Sequence, residues 1–218
     1  MKINWKKIGI KQLAALTSEK LRGQGIDTIL VGGACVSIYT KNMYESYDLD
    51  FVTHASIKKV ASTLAELGFQ RDRSRHFINP DCPFFIEFVA PPASVGDELL
   101  KGEKNLKTRL GTLILMTPTD TVKDRLAAYY HWNDQQALEQ AVMVAESQKI
   151  NLSDIKRWSE QEGYSEKYQK FLARLRRAER QSEKAESKKQ KLSQSVAGKG
   201  VRRNNYSVKN LKRKESDD

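Results

Sequence analysis

Residues 47–52 read Tyr-Asp-Leu-Asp-Phe-Val, and no other stretch limits the fold as tightly. In an extended strand, residues i and i+2 point to the same face. Asp48 and Asp50 therefore project together, while Tyr47, Leu49 and Phe51 turn the other way into a core. Aspartate is depleted from strands, and two carboxylates on one face repel each other. A solvent-exposed edge strand would tolerate the pair. A buried strand demands a neutralising cation, and oxygen ligands suit a hard divalent ion, Mg²⁺ or Mn²⁺.

A third carboxylate sits in an equally apolar setting. Glu87 lies in Phe-Phe-Ile-Glu-Phe-Val, residues 84–89, where an unpaired carboxylate is costly to bury. If that strand lies beside the Asp48/Asp50 strand, the three acids converge and can hold two metal ions. The alternative is an ion pair with Arg71, Arg73 or Arg75 of the basic segment 69–77, arginines that could instead bind a triphosphate. Upstream, Gly32 and Gly33 follow the apolar run Ile29-Leu30-Val31. A glycine turn at a strand-to-helix junction lets backbone N–H groups and the helix N-terminus approach a phosphate.

Around these motifs the pattern predicts an α/β (α+β) core over residues 1–117. An amphipathic helix carries Ile10, Leu13, Ala14, Leu16 and Leu21 and stops at Gly23 and Gly25. Strands follow at 27–33, 47–53, 82–92 and 110–118, with a short helix after the glycines and another over 56–69. From Pro118 the period becomes helical, predicting a helical subdomain over 118–180, with Asn133-Asp134 as a cap between two of its helices. Residues 181–218 are rich in Ser, Lys and Arg with few large apolar residues, so they are expected to be a disordered basic tail. Residues 169–218 hold 16 Lys+Arg against 6 Asp+Glu, a net +10, which leaves +1 for the first 168. Such a tail suits RNA or DNA phosphates, although Tyr206 alone offers no stacking platform.

Gly-Gly, then Tyr-Asp-Leu-Asp-Phe-Val, then Ile-Glu-Phe-Val resembles the nucleotidyltransferase superfamily that includes DNA polymerase β. The resemblance covers residues 26–90 by motif and implies a mixed sheet with flanking helices. It implies that Gly32 and Gly33 hold nucleotide phosphates, that Asp48 and Asp50 bind the metals, and that Glu87 is the third acid, a ligand or the base for an incoming hydroxyl. The helical part is similar to that of small stand-alone prokaryotic nucleotidyltransferase-like proteins, including relatives of abortive-infection-type toxins. There a lysine on the first helix after the sheet contacts the nucleotide, which implies Lys123, with Asp124 and Arg125 beside it. Three features depart from the pattern: a 14-residue spacer between Gly33 and Asp48, Ala34 where many members carry serine, and Glu87 where Asp is more frequent. Ser37 or Ser46 would supply the missing hydroxyl near the nucleotide.

The implied activity is metal-dependent transfer of a nucleoside monophosphate from an NTP to an acceptor hydroxyl on RNA, protein or a small molecule. A toxin with an antitoxin partner, acting on tRNA or protein, shares that chemistry. A catalytically inactive module binding nucleic acid or protein does not. Cys35 reads as a core thiol, His131 and Trp132 as packing and capping residues, and Lys123 has an alternative reading as an exposed helix lysine. No apolar run reaches membrane-spanning length, and the basic N-terminus lacks a signal-peptide core, so a cytoplasmic location is expected.

Overall fold

A computed structural model describes residues 3–73 and 75–211, with side chains as far as residue 188. The chain divides into two units, Met1–Leu172 and Ala173–Asp218. In the first, a short 3-10 turn precedes α1 (Ile10–Arg22), β1 (Ile29–Val31), α2 (Gly32–Tyr39), β2 (Asp48–Val52) and α3 (Ile57–Ala65). Five short strands follow: β3 (Gln70–Arg71), β4 (Phe77–Ile78), β5 (Phe85–Val89), β6 (Ser94–Val95) and β7 (Glu98–Leu99). Then come β8 (Glu103–Thr108), β9 (Gly111–Met116), α4 (Pro118–Trp132), α5 (Gln135–Ser147), α6 (Leu152–Gln161) and α7 (Ser165–Leu211), whose first eight residues belong to this unit.

Among the described residues seven strands form one mixed sheet in the order β3-β4-β5-β2-β1-β9-β8, and β6 pairs with β7 separately. The mixed sheet with flanking helices, followed by helices, is the architecture the sequence predicts. β2 runs antiparallel to β1 and parallel to β5, so the strand bearing Asp48 and Asp50 is interior to the sheet, not an edge. Leu30, Leu49, Phe51, Phe77, Ile86 and Leu115 are fully buried and form its apolar core. Phe51 stacks on Phe88 across the β2–β5 pair, with ring centroids 5.8 Å apart.

The helices start where polar side chains bond their first N–H groups. Thr117 accepts from the Asp120 N–H at 3.1 Å ahead of Pro118, which suits the first turn of α4. Asp134 caps α5 by accepting from the Ala137 N–H at 3.0 Å, after Asn133 has ended α4 in the left-handed conformation. The expected Asn-Asp cap is therefore formed. Trp132 does not pack as expected: it is 78% exposed at the end of α4. His131 beside it does make contacts, with its Nδ1 3.3 Å from the Tyr164 hydroxyl. Cys35 is a core thiol, buried and donating to the Leu30 carbonyl at 3.3 Å.

The sequence gives no sign of β8, whose Glu-Lys-Asn-Leu-Lys-Thr is largely exposed along the sheet edge. Charged edge residues block pairing with a further strand, so the polarity that hides β8 from pattern reading suits its place. The second unit is helical as far as Leu211, with residues 181–188 all exposed; residues 212–218 of the expected tail lie outside the described residues. No helix among the described residues is long and apolar enough to cross a membrane.

Helix α1 lies against the start of β9 at Gly111, where φ is +139°. A Cβ there would come within 2.8 Å of Glu19 Cγ and 2.9 Å of the Ala15 carbonyl. Gly111→Ala is expected to lower stability by about 2 kcal/mol through overpacking and backbone strain. A denaturation midpoint equal to that of wild type would show that α1 can move aside.

Candidate active site

The register of β2 against β5 sets the geometry. Asp48 pairs with Phe85 and Asp50 with Glu87, so Asp48, Asp50 and Glu87 share one face of two adjacent parallel strands. Leu49 and Phe51 alternate onto the other face and are fully buried, which fixes the register, because a one-residue slip would bury the carboxylates instead.

At the end of β1 the chain turns through Gly32, with φ of +68°, directly into α2. A Cβ on Gly32 would lie 2.6 Å from Asp50 Oδ2, so this glycine is needed both for its backbone conformation and for the close approach of the carboxylate. No side chain caps α2. On Gly33 a Cβ would lie 3.0 Å from the Ser46 hydroxyl. Ser46 donates to the Asp48 carboxylate, and its own N–H donates to Ser37 Oγ at 2.8 Å. Of the two serines considered, Ser46 thus touches the acids and Ser37 holds it in place.

Burial, then the neighbouring charges of Asp48 and Glu87, pushes the Asp50 carboxyl up to about 6, and the Arg125 guanidinium opposes the rise. Arg125 comes from α4, bonded to Asp124 (Nε–Oδ2 2.9 Å) and to Gln140 Oε1 at 3.3 Å. Glu87 is engaged by Arg75 (Nε–Oε1 3.0 Å) and lies 3.4 Å from His76 Nε2, so of the three arginines considered Arg75 is its partner. The His76 ring in turn lies tilted at 43° against Phe85, centroids 4.5 Å apart.

Lys123 stands elsewhere. Its side chain is 1% exposed, and its ammonium lies 2.7 Å from Glu98, 2.5 Å from Asp154 and 4.0 Å from Asp120. Two positions apart on a helix is about 200° around its axis, so Lys123 and Arg125 serve opposite sides of α4. The structure brings Asp48, Asp50, Glu87, Gly32, Gly33 and Ser46 together and does not bring Lys123 to them. Arg125 and His76 were the residues spacing alone missed; Arg125 beside Lys123 in a helix start was the available signal, but the facing side of a helix is set by packing.

The donor set fits a hard divalent cation in kind: carboxylate oxygens on one face, with Asp50 made harder to ionise by burial and then by two like charges. Among the described residues, however, no three His, Cys, Asp or Glu side chains are gathered tightly enough to hold a metal ion. Glu87 is the group turned aside, toward Arg75 and His76. Asp48 and Asp50 are the pair available to a cation, and Glu87 would have to change partner to join them.

No family model matches the chain, and no curated protein matches its sequence. Among solved structures, an antigenic nucleotidyltransferase-like protein from Paracoccidioides brasiliensis aligns at a TM-score of 0.48 and 16% identity, over 62% of this chain and 74% of that one. The antibiotic-resistance factor ANT(2'')-Ia aligns at a TM-score of 0.42 and 10% identity, over 79% of this chain and 97% of that one. A tRNA-processing enzyme aligns at 0.37 and 17%, over 75% and 50% respectively. Each score is below 0.5, so the roles of the residues are argued from their own geometry.

Two outcomes follow from the electrostatics. The folded Asp50 carboxyl binds its proton more tightly than in the unfolded chain, so its ionisation destabilises the fold as pH rises from about 4 to about 6. In metal-free buffer, Asp50→Asn is expected to be more stable than wild type above about pH 7 by roughly 1–3 kcal/mol, the difference vanishing below about pH 4. A pH-independent difference in melting would contradict the site's mutual repulsion. At Lys123 the sign is opposite. Burial raises the Glu98 and Asp154 carboxyls, but bonds from Lys123, Arg157 and Lys101 prevail and leave both below their ordinary range. Lys123→Met is expected to destabilise by about 3 kcal/mol near neutrality. Because lowered carboxyls lose their stabilisation as pH falls below about 4, the gap to wild type should narrow in acid; urea melts at both pH values check it.

Proposed function

We propose that the chain is a metal-dependent nucleotidyltransferase that moves a nucleoside monophosphate from an NTP to an acceptor hydroxyl. The observation that carries this reading is Asp50, set on one sheet face between Asp48 and Glu87 with its carboxylate against Gly32. Two like-charged neighbours and a glycine-bounded helix start form an arrangement that gains from a cation on the acids and a phosphate at the turn. The motif resemblance of residues 26–90 points the same way.

The residue roles follow from position. The uncapped first turn of α2, at Gly32 and Gly33, receives the nucleotide phosphates on its N–H groups. The Ser46 hydroxyl, on Asp48 and beside Gly33, orients that carboxylate and lies near the phosphate position. Asp48 and Asp50 would hold Mg²⁺ or Mn²⁺, joined by Glu87 on release from Arg75. A divalent ion held there supplies charge neutralisation for the departing pyrophosphate and acidifies the attacking hydroxyl. The acceptor oxygen forms its bond to the α-phosphorus as the bond to the β-phosphate bridging oxygen breaks. Glu87 takes the hydroxyl proton. Arg125, the α4 cation whose charge reaches Asp50, faces the nucleotide in place of Lys123, which stays in its ion cluster. Asp50 ionises fully only above about 6 without a cation, so transfer is set to weaken in acid.

The test is incubation of the protein with each labelled NTP, Mg²⁺ or Mn²⁺, and total cellular RNA and protein. One fraction takes up label, and Asp48→Asn and Asp50→Asn each lower the rate by about a hundredfold or more. Undiminished labelling by both variants would sink the assignment. No labelling with any NTP, together with no calorimetric binding of Mg²⁺·NTP, would leave a non-catalytic binding module in its place.

A further inference from the structure

The molecule carries a second concentration of charge, of the opposite sign, away from the three acids. A groove of about 490 Å³ runs between the segment entering α1 and the β8–β9 turn. Lys7 and Lys11 line it from one side and Lys107 and Arg109 from the other, and no carboxylate lines it among the described residues. All four cations are exposed. Nearby basic residues behave differently: Lys6 lies 3.9 Å from Asp81, Lys20 pairs with Glu66 at 2.6 Å, and Arg22 with Glu19 at 2.9 Å. None of the four groove cations makes an ion pair among the described residues. Residues 1–168 carry a net charge of only +1, so these four are a local surplus, not a sample of a basic surface.

An edge strand gains from lysines that block pairing, which accounts for Lys107 taken alone. It does not account for Lys7 and Lys11, which come from a different element and face the same groove. Helix α1 also begins there with no side-chain cap, adding its positive end to the same field. Ile3, Ile8 and Leu110 add apolar lining, and no aromatic ring lines the groove among the described residues.

The register separates this groove from the acids. Leu30 pairs with Leu115, and Val31 with Asp50, so the acids lie toward the Met116 end of β9. Arg109 sits in the turn before Gly111, at the other end, roughly 17 Å or more back along the strand from Met116 at about 3.3 Å per residue.

We propose that this groove binds the sugar–phosphate backbone of a single nucleic-acid strand. Repeating negative charge matches cations placed on both walls, and a volume of about 490 Å³ suits about one or two nucleotides of a strand, the size of a small-ligand cleft and not of a duplex. Without an aromatic ring to stack bases or a set of base-edge donors, binding reads charge and not sequence. The site does not depend on the transfer reaction, and Asp50→Asn leaves it intact.

The experiment titrates the full-length protein into a fluorescently labelled single-stranded RNA of mixed sequence at several salt concentrations. The basic tail is common to every variant and supplies the background. K107E/R109E is expected to weaken binding about tenfold and to lower the slope of log K against log salt by about 1.4, the loss of two phosphate contacts. K7E/K11E, on the opposite wall, does the same. K58E/K59E, an equal charge change on exposed positions of α3 outside the groove, leaves the slope unchanged. If the groove variants and the α3 variant lose affinity alike, the effect is net charge and the proposal falls. It falls equally if polyglutamate of matched charge competes as well as RNA and loses as much affinity in the groove variants, since the groove then takes acidic peptides.

Discussion

Repulsion among carboxylates on a central strand pair is the constraint around which the rest of this molecule is arranged. Asp50 faces Glu87 across parallel strands and follows Asp48 on the same face. Nothing in the sheet's own hydrogen bonding relieves that repulsion. The flanking parts each answer it: Gly32 gives up a side chain so that the carboxylate fits, Ser46 donates to Asp48, Arg75 and His76 hold Glu87, and Arg125 offsets Asp50 from α4. Helix α4 therefore acts on the site electrostatically as well as giving apolar cover.

This explains which features were legible from sequence. Asp48, Asp50 and Glu87 stood out because a charge within a β-branched or aromatic run has few ways to be stable. Their shared face followed from the period of a strand alone. That β5 would lie beside β2 was a conditional expectation, and the register makes it so. The partner of Glu87 could be narrowed to three arginines, and loop geometry selected Arg75. Lys123 failed because helical period says which residues share a face but not what that face meets. Lys123 and Arg125 are equally good cations by spacing, and packing against α6 and β7 took one of them out of reach. β8 failed for a different reason: an exposed edge strand carries little apolar alternation, so the pattern that reveals buried strands is absent by necessity.

Among the described residues two clusters are rich in acid, and they differ in how their charges are met. Around Lys123, three carboxylates (Asp120, Asp154 and Glu98) meet three cations (Lys101, Lys123 and Arg157). Charge is balanced there in number, and the Asp154 and Glu98 carboxyls sit below their ordinary range, while burial raises that of Asp120. Such a cluster has nothing left to bind; it fastens the β6–β7 hairpin to α4 and α6. Around Asp50 the balance is unmet, and its carboxyl is raised to about 6. The same residue types thus yield a fastening in one place and a demand for a ligand in the other. The difference lies in how fully the protein's own counter-charges cover the acids: Arg75 and Arg125 offset the Asp50 cluster only in part.

That distinction also orders the two ends of the sheet. On the proposed function the acid-bearing end takes cations, with a phosphate at the neighbouring glycine turn, while the groove beside β8 presents four cations without an ion-pair partner among the described residues. A bound strand would meet the groove through its phosphates and be repelled by the bare carboxylates, so a polyanion placed by the groove reaches the acidic end only where cations have already covered it. On the proposed reading, occupancy of the acids by metal comes before any close approach of nucleic acid to them. The order is set by charge, independently of the identity of the acceptor hydroxyl.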